Sequence, residues 1–315
     1  MTIDQPITEF KTGDTVQGYY LLKEASVRNS AKGDPYLSVI LTDSSGEIDG
    51  KLWEYKEEVT AADAGTVVKI RAQVTEYRDK PQLKISNIRR AKEGDSYDLS
   101  RLIPVAPINV EDTLNEVRRM IASMEDADYR RLAEVMLQRH EAAFRSIPAA
   151  KSVHHSFRSG LLMHTWRMMR TADLLSALYP EVIDRSLLLT GTLLHDFGKE
   201  QEFDVNSMGL VTDYSKCGKL LGHLVMGAQE TAALAQELGL PEEKSLLLQH
   251  LILSHHGEPE FGAAVLPQCA EAELLSYIDK IDSRMEIYAE TITSMKPGTF
   301  SDRIPWLDKK IYRHL

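Results

Sequence analysis

The sequence predicts a multi-domain protein, a small N-terminal β-barrel followed by an all-α domain. Three observations carry that prediction. The chain has 315 residues, more than one core of ordinary size, because domains run ~100 to 200 residues. Residues 15–90 break into short segments rich in β-branched and aromatic residues, closed by Gly, Pro, Asp and Ser. Beyond residue 110 the apolar residues instead recur three and four apart, the period of helices that bury one face.

The β segments come in the order TVQGYYLLKEASV, PYLSVILTD, GEIDGKLWE, TVVKIRAQVTEY and PQLKISNIRR. KGDP at 32–35, SSG at 44–46 and RDKP at 78–81 supply the turns. YKEEVTAADAG, between the third and fourth segments, reads as a short helix stopped by Gly65. Five strands with a helix after the third is the order of an OB-fold barrel, here spanning residues 1–92. Tyr36 and Trp53 fall on the strands that form the binding face of such barrels, with Lys32, Arg78 and Lys80 in the flanking loops. Stacking on such rings is worth ~1 to 3 kcal/mol per base, and phosphate contacts to the cations would make binding salt-sensitive. Both rings can instead fill the barrel, and the alternation does not choose without the strand register.

The stretch 93–110 loses periodicity and gathers Gly, Pro and Asp, so it reads as a linker. The second domain then covers 111–315, with helices expected at 111–124, 126–145, 156–178, 182–198, 218–238, 242–256 and 270–295. The last, with Met285, Ile287 and Ile292 in a stripe, suits either the core or a neighbouring copy in a homo-oligomer.

Composition excludes several classes. There is no run of ~18 apolar residues to span a bilayer and no basic, apolar N-terminal signal, so no membrane association and a cytoplasmic address are expected. Cys217 and Cys269 are too few for a disulfide framework or a Cys-rich zinc site. The net charge of −10 argues against a protein that coats nucleic acid indiscriminately, but it is uneven. Residues 1–92 hold 14 basic and 14 acidic side chains, so the whole excess lies in the helical part, where a metal site would need carboxylates.

Within the helical part, His164 lies in SGLLMHTWRMM, His195 beside Asp196 in TGTLLHDFGK, His223 in GKLLGHLVMG, His255 and His256 in LLLQHLILSHHGE, and Asp279 in LLSYIDKID. One histidine among apolar residues is ordinarily a satisfied core group. Five, with two carboxylates, on inward-facing helices are the donor set that borderline divalent metals prefer. Asp196 has two oxygens and can bridge two cations ~3.5 to 4 Å apart, the spacing that clamps both oxygens of a phosphodiester displacement. Gly198 permits the unwinding that lets adjacent His and Asp share a centre, and Lys199, one turn past Asp196, can reach a phosphate oxygen. No Ser or Cys nucleophile motif and no Gly-rich phosphate loop supports another mechanism. The residues therefore predict a metal phosphodiesterase. His154 and His155, ahead of the His164 helix, suit a substrate contact or a packed helix start equally. His250, on another face of its helix, reads as structural, and His140 and His314 as surface groups.

The ordered set His164, His195-Asp196-x-Gly-Lys, His223, His255-His256, Asp279 resembles the HD-domain metallophosphohydrolases. That resemblance implies a one-metal core from His164, His195, Asp196 and Asp279, with His223, His255 and His256 added where a second metal is held. With the barrel ahead of it, the chain resembles the YhaM-type 3′-to-5′ exoribonuclease family over nearly its whole length. PYLSVILTDSSGEIDGKLW, HHSFRSGLLMHT, LLHDFGKEQEF, KLLGHLVMG and RIPWLDKKIYR carry the similarity. It implies hydrolysis of single-stranded RNA, and of single-stranded DNA, to nucleoside monophosphates. It also implies two divalent ions, manganese first, with iron, cobalt, zinc or magnesium as alternatives. Arg158 and Ser159 depart from the family pattern, and Arg158 sits where it can alter substrate approach.

Two other readings compete. HD proteins also hydrolyse cyclic dinucleotides, dNTPs or alarmones, but the GYP element of cyclic-dinucleotide enzymes is replaced after His256 by GEPEFG. A nucleic-acid-binding module with a vestigial HD site is the other, and the complete ligand set argues against it.

Overall fold

The computed structural model describes residues 2–30, 33–56, 58–77, 80–103, 105–149, 157–205 and 211–315. Lys32, Arg78, His154 and His155 lie outside the described residues. The chain divides into two compact units, with the first boundary between Val105 and Ala106.

The first unit is a closed OB-fold barrel of strands β1 (Thr15–Asn29), β2 (Pro35–Thr42), β3 (Glu47–Leu52), β4 (Val67–Tyr77) and β5 (Lys80–Arg90). β1 is long enough to serve two neighbours: Thr15–Leu21 pair with β4 and Leu21–Asn29 with β2. A register shift between Leu22 and Glu24 bends it between the two, as bulges do at barrel corners. The parallel pairing of β3 with β5, Asp49↔Gln82 to Leu52↔Ile85, completes the ring. Alternation decides the interior: Leu37, Val39 and Leu41 on β2, and Val68, Ile70, Ala72 and Val74 on β4, are buried while their neighbours face out.

Two expectations change here. The element between β3 and β4 is only the 3₁₀ turn Ala61–Asp63. Thr60 and Asp63 satisfy each other's backbone in a capping box, and Gly65, at φ +82°, turns the chain into β4 before a longer helix can form. The stretch expected as a linker is divided. Residues 93–103 pack on the barrel: Asp95 accepts from Arg89, Tyr97 stacks on Tyr19 at 5.1 Å, and Leu102 and Ile103 are buried with Tyr19 and Val67.

The second unit is helical, with α1 (Val110–Ala122), α2 (Ala127–Phe144), α3 (Gly160–Leu178), α4 (Arg185–Leu194), α5 (Gly222–Leu238), α6 (Glu242–Ser254) and α7 (Ala270–Ser294). Asn109, Asp126 and Asp184 cap α1, α2 and α4 by accepting from first-turn N–H groups. α4 is the centre. Every residue from Ser186 to Leu194 is buried, as its all-round apolar sequence requires, and α2, α3, α6 and α7 pack about it. The expected helix 182–198 is therefore shorter, ending at Leu194 so that His195–Gly198 form a turn. The expected helix 218–238 begins at Gly222, whose φ of +74° separates it from the short helix Lys216–Leu220. Two small hairpins, Phe203–Val205 with Val211–Tyr214 and Thr299–Phe300 with Tyr312–Arg313, are too short for an alternation signal. No helix among the described residues is long and apolar enough to cross a membrane.

Candidate metal centre and nucleic-acid surface

α4 and α6 end at the same place, and each delivers a histidine there. His195 and His255 occupy the C-cap positions, where carbonyls of the last turn lack helical partners. Each ring uses one: His195 Nδ1 donates to Thr192 O and His255 Nδ1 to Ile252 O, both at 2.7 Å. His164 on α3 and His223 at the start of α5 do the same with carboxylates. His164 Nδ1 lies 2.7 Å from Asp282 Oδ2, and His223 Nδ1 lies 3.1 Å from Glu202 Oε1. All four Nδ1 atoms are thus committed to acceptors, which leaves the Nε2 lone pairs to face inward.

Asp196 lies where they converge. Its Oδ2 is 3.3 Å from His195 Nε2 and 3.8 Å from His164 Nε2; its Oδ1 is 3.5 Å from His223 Nε2 and 3.7 Å from His255 Nε2. Asp279 Oδ1 closes the first side, 3.3 Å from His164 Nε2. His256 joins His223 and His255 on the second, where one ligand atom from each lies within 4.8 Å of the others. All seven residues singled out as metal ligands are therefore brought together, in two groups that share Asp196.

The arrangement fits cations. Asp196 Oδ1, His223 Nε2 and His256 Nδ1 are buried with no hydrogen-bond partner among the described residues, which is costly unless an ion takes their lone pairs. Burial pushes the Asp196 carboxyl up, but Lys199, His195 and His223 outweigh it and hold it well below the usual range. Burial likewise opposes ionisation of Asp279, and the hydrogen bond with His164 overrides it. Burial, with His256 and His195 nearby, drives His255 far towards neutral. Burial also favours neutral His164, but Asp279 and Asp282 outweigh it and favour positive charge there, so a divalent ion binding at this position would displace the Nε2 proton. Ionised carboxylates and neutral imidazoles are the forms that ligate divalent metals.

Lys199 donates to Asp196 Oδ2 at 2.6 Å, so its ammonium sits at the cluster itself. Gly198 is required for a different reason than the unwinding expected of it. Its φ is −56°, ordinary for any residue, but a Cβ there would lie 2.2 Å from the backbone oxygen of His223. Glycine is what lets the His-Asp turn touch the start of α5.

Sequence reasoning missed three positions in this domain. Asp282 and Glu202 orient ligands, and both lie inside stretches singled out for other residues. An acidic residue three past Asp279, on the same helix face, was the available signal for Asp282. Glu202 is buried, and it also accepts from His223 N at 3.0 Å. His140 is not a surface group: it is buried, its Nε2 lies 2.8 Å from Glu230 Oε1, its Nδ1 meets Glu200, and its ring stacks on Phe197 at 5.0 Å. His250 accepts from Gln268 N at 2.9 Å, and His314 is exposed. Arg158 is exposed, with its carbonyl accepting from Ala106 N and no contact to the cluster among the described residues.

On the barrel, the register settles the facing of Tyr36 and Trp53. Leu37 pairs with Leu52, which makes Tyr36 and Trp53 direct cross-strand neighbours on the outer face. Their centroids are 4.7 Å apart, and Trp53 is 49% exposed. Lys51, two residues before Trp53 and on the same face, lies 5.5 to 5.9 Å from the Tyr36, Trp53 and Tyr77 ring centroids. Lys51 and Tyr77 were missed because the alternation was read without its register. Lys80 is exposed and pairs with Tyr77 across the β4–β5 turn.

Fold and site together define an OB-fold nucleic-acid-binding domain joined to an HD domain. Family models agree, matching an OB-fold nucleic acid binding domain at residues 24–91 and an HD domain at 161–284. Three curated relatives extend the likeness along the chain. The 3′-5′ exoribonuclease YhaM of Halalkalibacterium halodurans is 37% identical over 307 residues, 97% of this chain and 95% of that protein. Those of Shouchella clausii and Bacillus subtilis are 38% and 36% identical, covering 97% and 96% of this chain and 95% of each relative. The chain belongs to the YhaM 3′-5′ exoribonuclease family.

Proposed function

We propose that this protein is a metal-dependent 3′-to-5′ exoribonuclease that hydrolyses single-stranded RNA, and single-stranded DNA, to nucleoside monophosphates in the cytoplasm. The observation that carries the chemistry is Asp196, whose two oxygens face two different histidine groups. His164, His195, Asp196 and Asp279 would hold one divalent ion, and Asp196, His223, His255 and His256 a second. Manganese fits this mixed imidazole and carboxylate set, as do iron and cobalt. When bound, such ions would supply Lewis acidity to the scissile phosphate and lower the pKa of an attacking water. The chain's own residues fix the geometry. Asp282, Glu202, Thr192 O and Ile252 O hold each imidazole in one tautomer, and Lys199 brings a cation to Asp196 where the phosphate's charge must be balanced. The Tyr36, Lys51 and Trp53 surface adds affinity that tolerates any base, which suits a processive or repetitive degrader.

The test is one purified sample, assayed for metal content and for products from an end-labelled oligoribonucleotide with manganese. Mononucleotides from the wild type and none from Asp196→Asn support the reading. Faster turnover of cyclic dinucleotides, dNTPs or alarmones than of RNA would replace it with small-nucleotide hydrolysis. Strand binding with no bound metal and no products would leave a binding module.

A further inference from the structure

Next to the metal-facing histidines the helical domain has a second concavity, one that the ligand set does not use. A pocket of about 260 Å³ is lined by His256, the 257–268 loop and one face of α7. His256 belongs both to its wall and to the second histidine group. Two aromatic rings on its lining are largely exposed, Phe261 at 62% and Tyr277 at 54%. Large exposed rings lining a concavity beside a reactive centre are a liability unless they meet a ligand.

The pocket is built rather than loose. Ala264 N donates to Leu253 O at 2.9 Å, and Gln268 N donates to His250 Nε2 at 2.9 Å, so the loop is tied to α6 at two points. That gives His250 its structural task. On α7, Lys280 Nζ stands 5.4 Å from the Phe261 ring centroid. Charge narrows the occupant. Glu258 and Glu273 outnumber Lys280 on the lining, so a phosphate is disfavoured inside while a flat, neutral ring is not. Glu258, Gln268 and Ser276 supply polar groups for the edge of such a ring.

We infer that this pocket is a nucleobase subsite, taking the base of a nucleotide adjacent to the scissile phosphate against Phe261 and Tyr277. It rests on the exoribonuclease reading. Phe261 and Tyr277 are binding residues for the base, and they act on how the 3′ end is held. Because stacking tolerates any base, the site would promote single-strand selection: a base held in a duplex cannot enter it.

The experiment compares two oligoribonucleotides of equal length, one intact and one whose last two nucleotides are abasic, using the manganese-loaded full chain. The wild type is expected to favour the intact end by ~5- to 150-fold in kcat/KM, the range base stacking gives. Phe261→Leu with Tyr277→Leu, both exposed and so tolerable to the fold, is expected to bring that ratio close to 1, chiefly through KM. A wild type that cleaves neither oligonucleotide sinks the exoribonuclease reading and this inference with it. A wild type that cleaves both, with the ratio unchanged in the double variant, removes the subsite alone.

Discussion

Gly198→Ala is the sharpest perturbation the structure offers, since one methyl group separates the two halves of the site. The new Cβ would stand 2.2 Å from His223 O and 2.9 Å from His223 C and Cα. Ordinary C···O contacts are ~3.3 to 3.6 Å, so the His-Asp turn and the first turn of α5 must part by about 1 Å. All three contacts are backbone, and no side chain can rotate out of the way. The displacement falls between Asp196, two residues before Gly198, and His223, whose Nε2 is 3.5 Å from Asp196 Oδ1. His164, His195 and Asp279 lie on the other side of Asp196 and keep their mutual distances. We expect the variant to lose affinity for one metal equivalent of two and to degrade RNA ~10²-fold more slowly, the cost of about 1 Å of misplacement at a reacting centre. Overpacking should also cost ~1 to 3 kcal/mol of stability. Gly227→Ala is the control on the same contact: its Cβ would meet Ile252 Cγ2 at 3.5 Å, ordinary packing, and Ala favours the helix interior. The assay is metal content by elemental analysis after gel filtration, alongside RNA turnover and urea unfolding. A Gly198→Ala protein with two tight metal equivalents and unreduced turnover would refute the shared second site given to Asp196 and His223.

Other predictions are simpler. Asp282→Asn and Glu202→Gln should each weaken metal binding by ~10- to 100-fold without removing a ligand, because each loosens the ring it orients; metal titration followed by activity checks this. Trp53→Ala should lower affinity for a single strand by ~1 to 3 kcal/mol, and Lys51→Ala should make the salt dependence of binding shallower; fluorescence anisotropy at several salt concentrations separates the two. His140 gives a pH dependence of stability. Burial opposes its charge, but Glu200 and Glu230 outweigh burial and raise its pKa to about 9. A raised folded-state pKa stabilises fully below the unfolded value of ~6.5 and the gain disappears as pH rises through about 9. Urea unfolding should therefore show roughly 3 kcal/mol lost between those values, and His140→Gln should flatten that part of the profile.

Much of the protein is legible along the chain. Two changes of hydrophobic period mark the barrel and the helices, and most helix ends fall within a few residues of their caps, because periodicity and capping are local. The order of histidines and aspartates is legible too, since each lies in or just past an apolar helix where a lone polar group would be costly. The exceptions have local causes of their own. A glycine at a tight approach looks the same in sequence as one needed for an unusual backbone angle, so Gly198 was given the wrong reason. Hairpins of two to four residues carry no alternation long enough to read.

Residue order along the chain sets which side chains are available and in what sequence they meet the helices. Folding sets which nitrogen of each histidine faces the centre, because that depends on acceptors such as Asp282, 118 residues from His164. It likewise decided that His140 is buried between two carboxylates and that Tyr36, Lys51 and Trp53 share an outer face. Hydrogen bonds and strand register join residues far apart in the chain, and local spacing holds no information about partners that only folding brings within 3 Å.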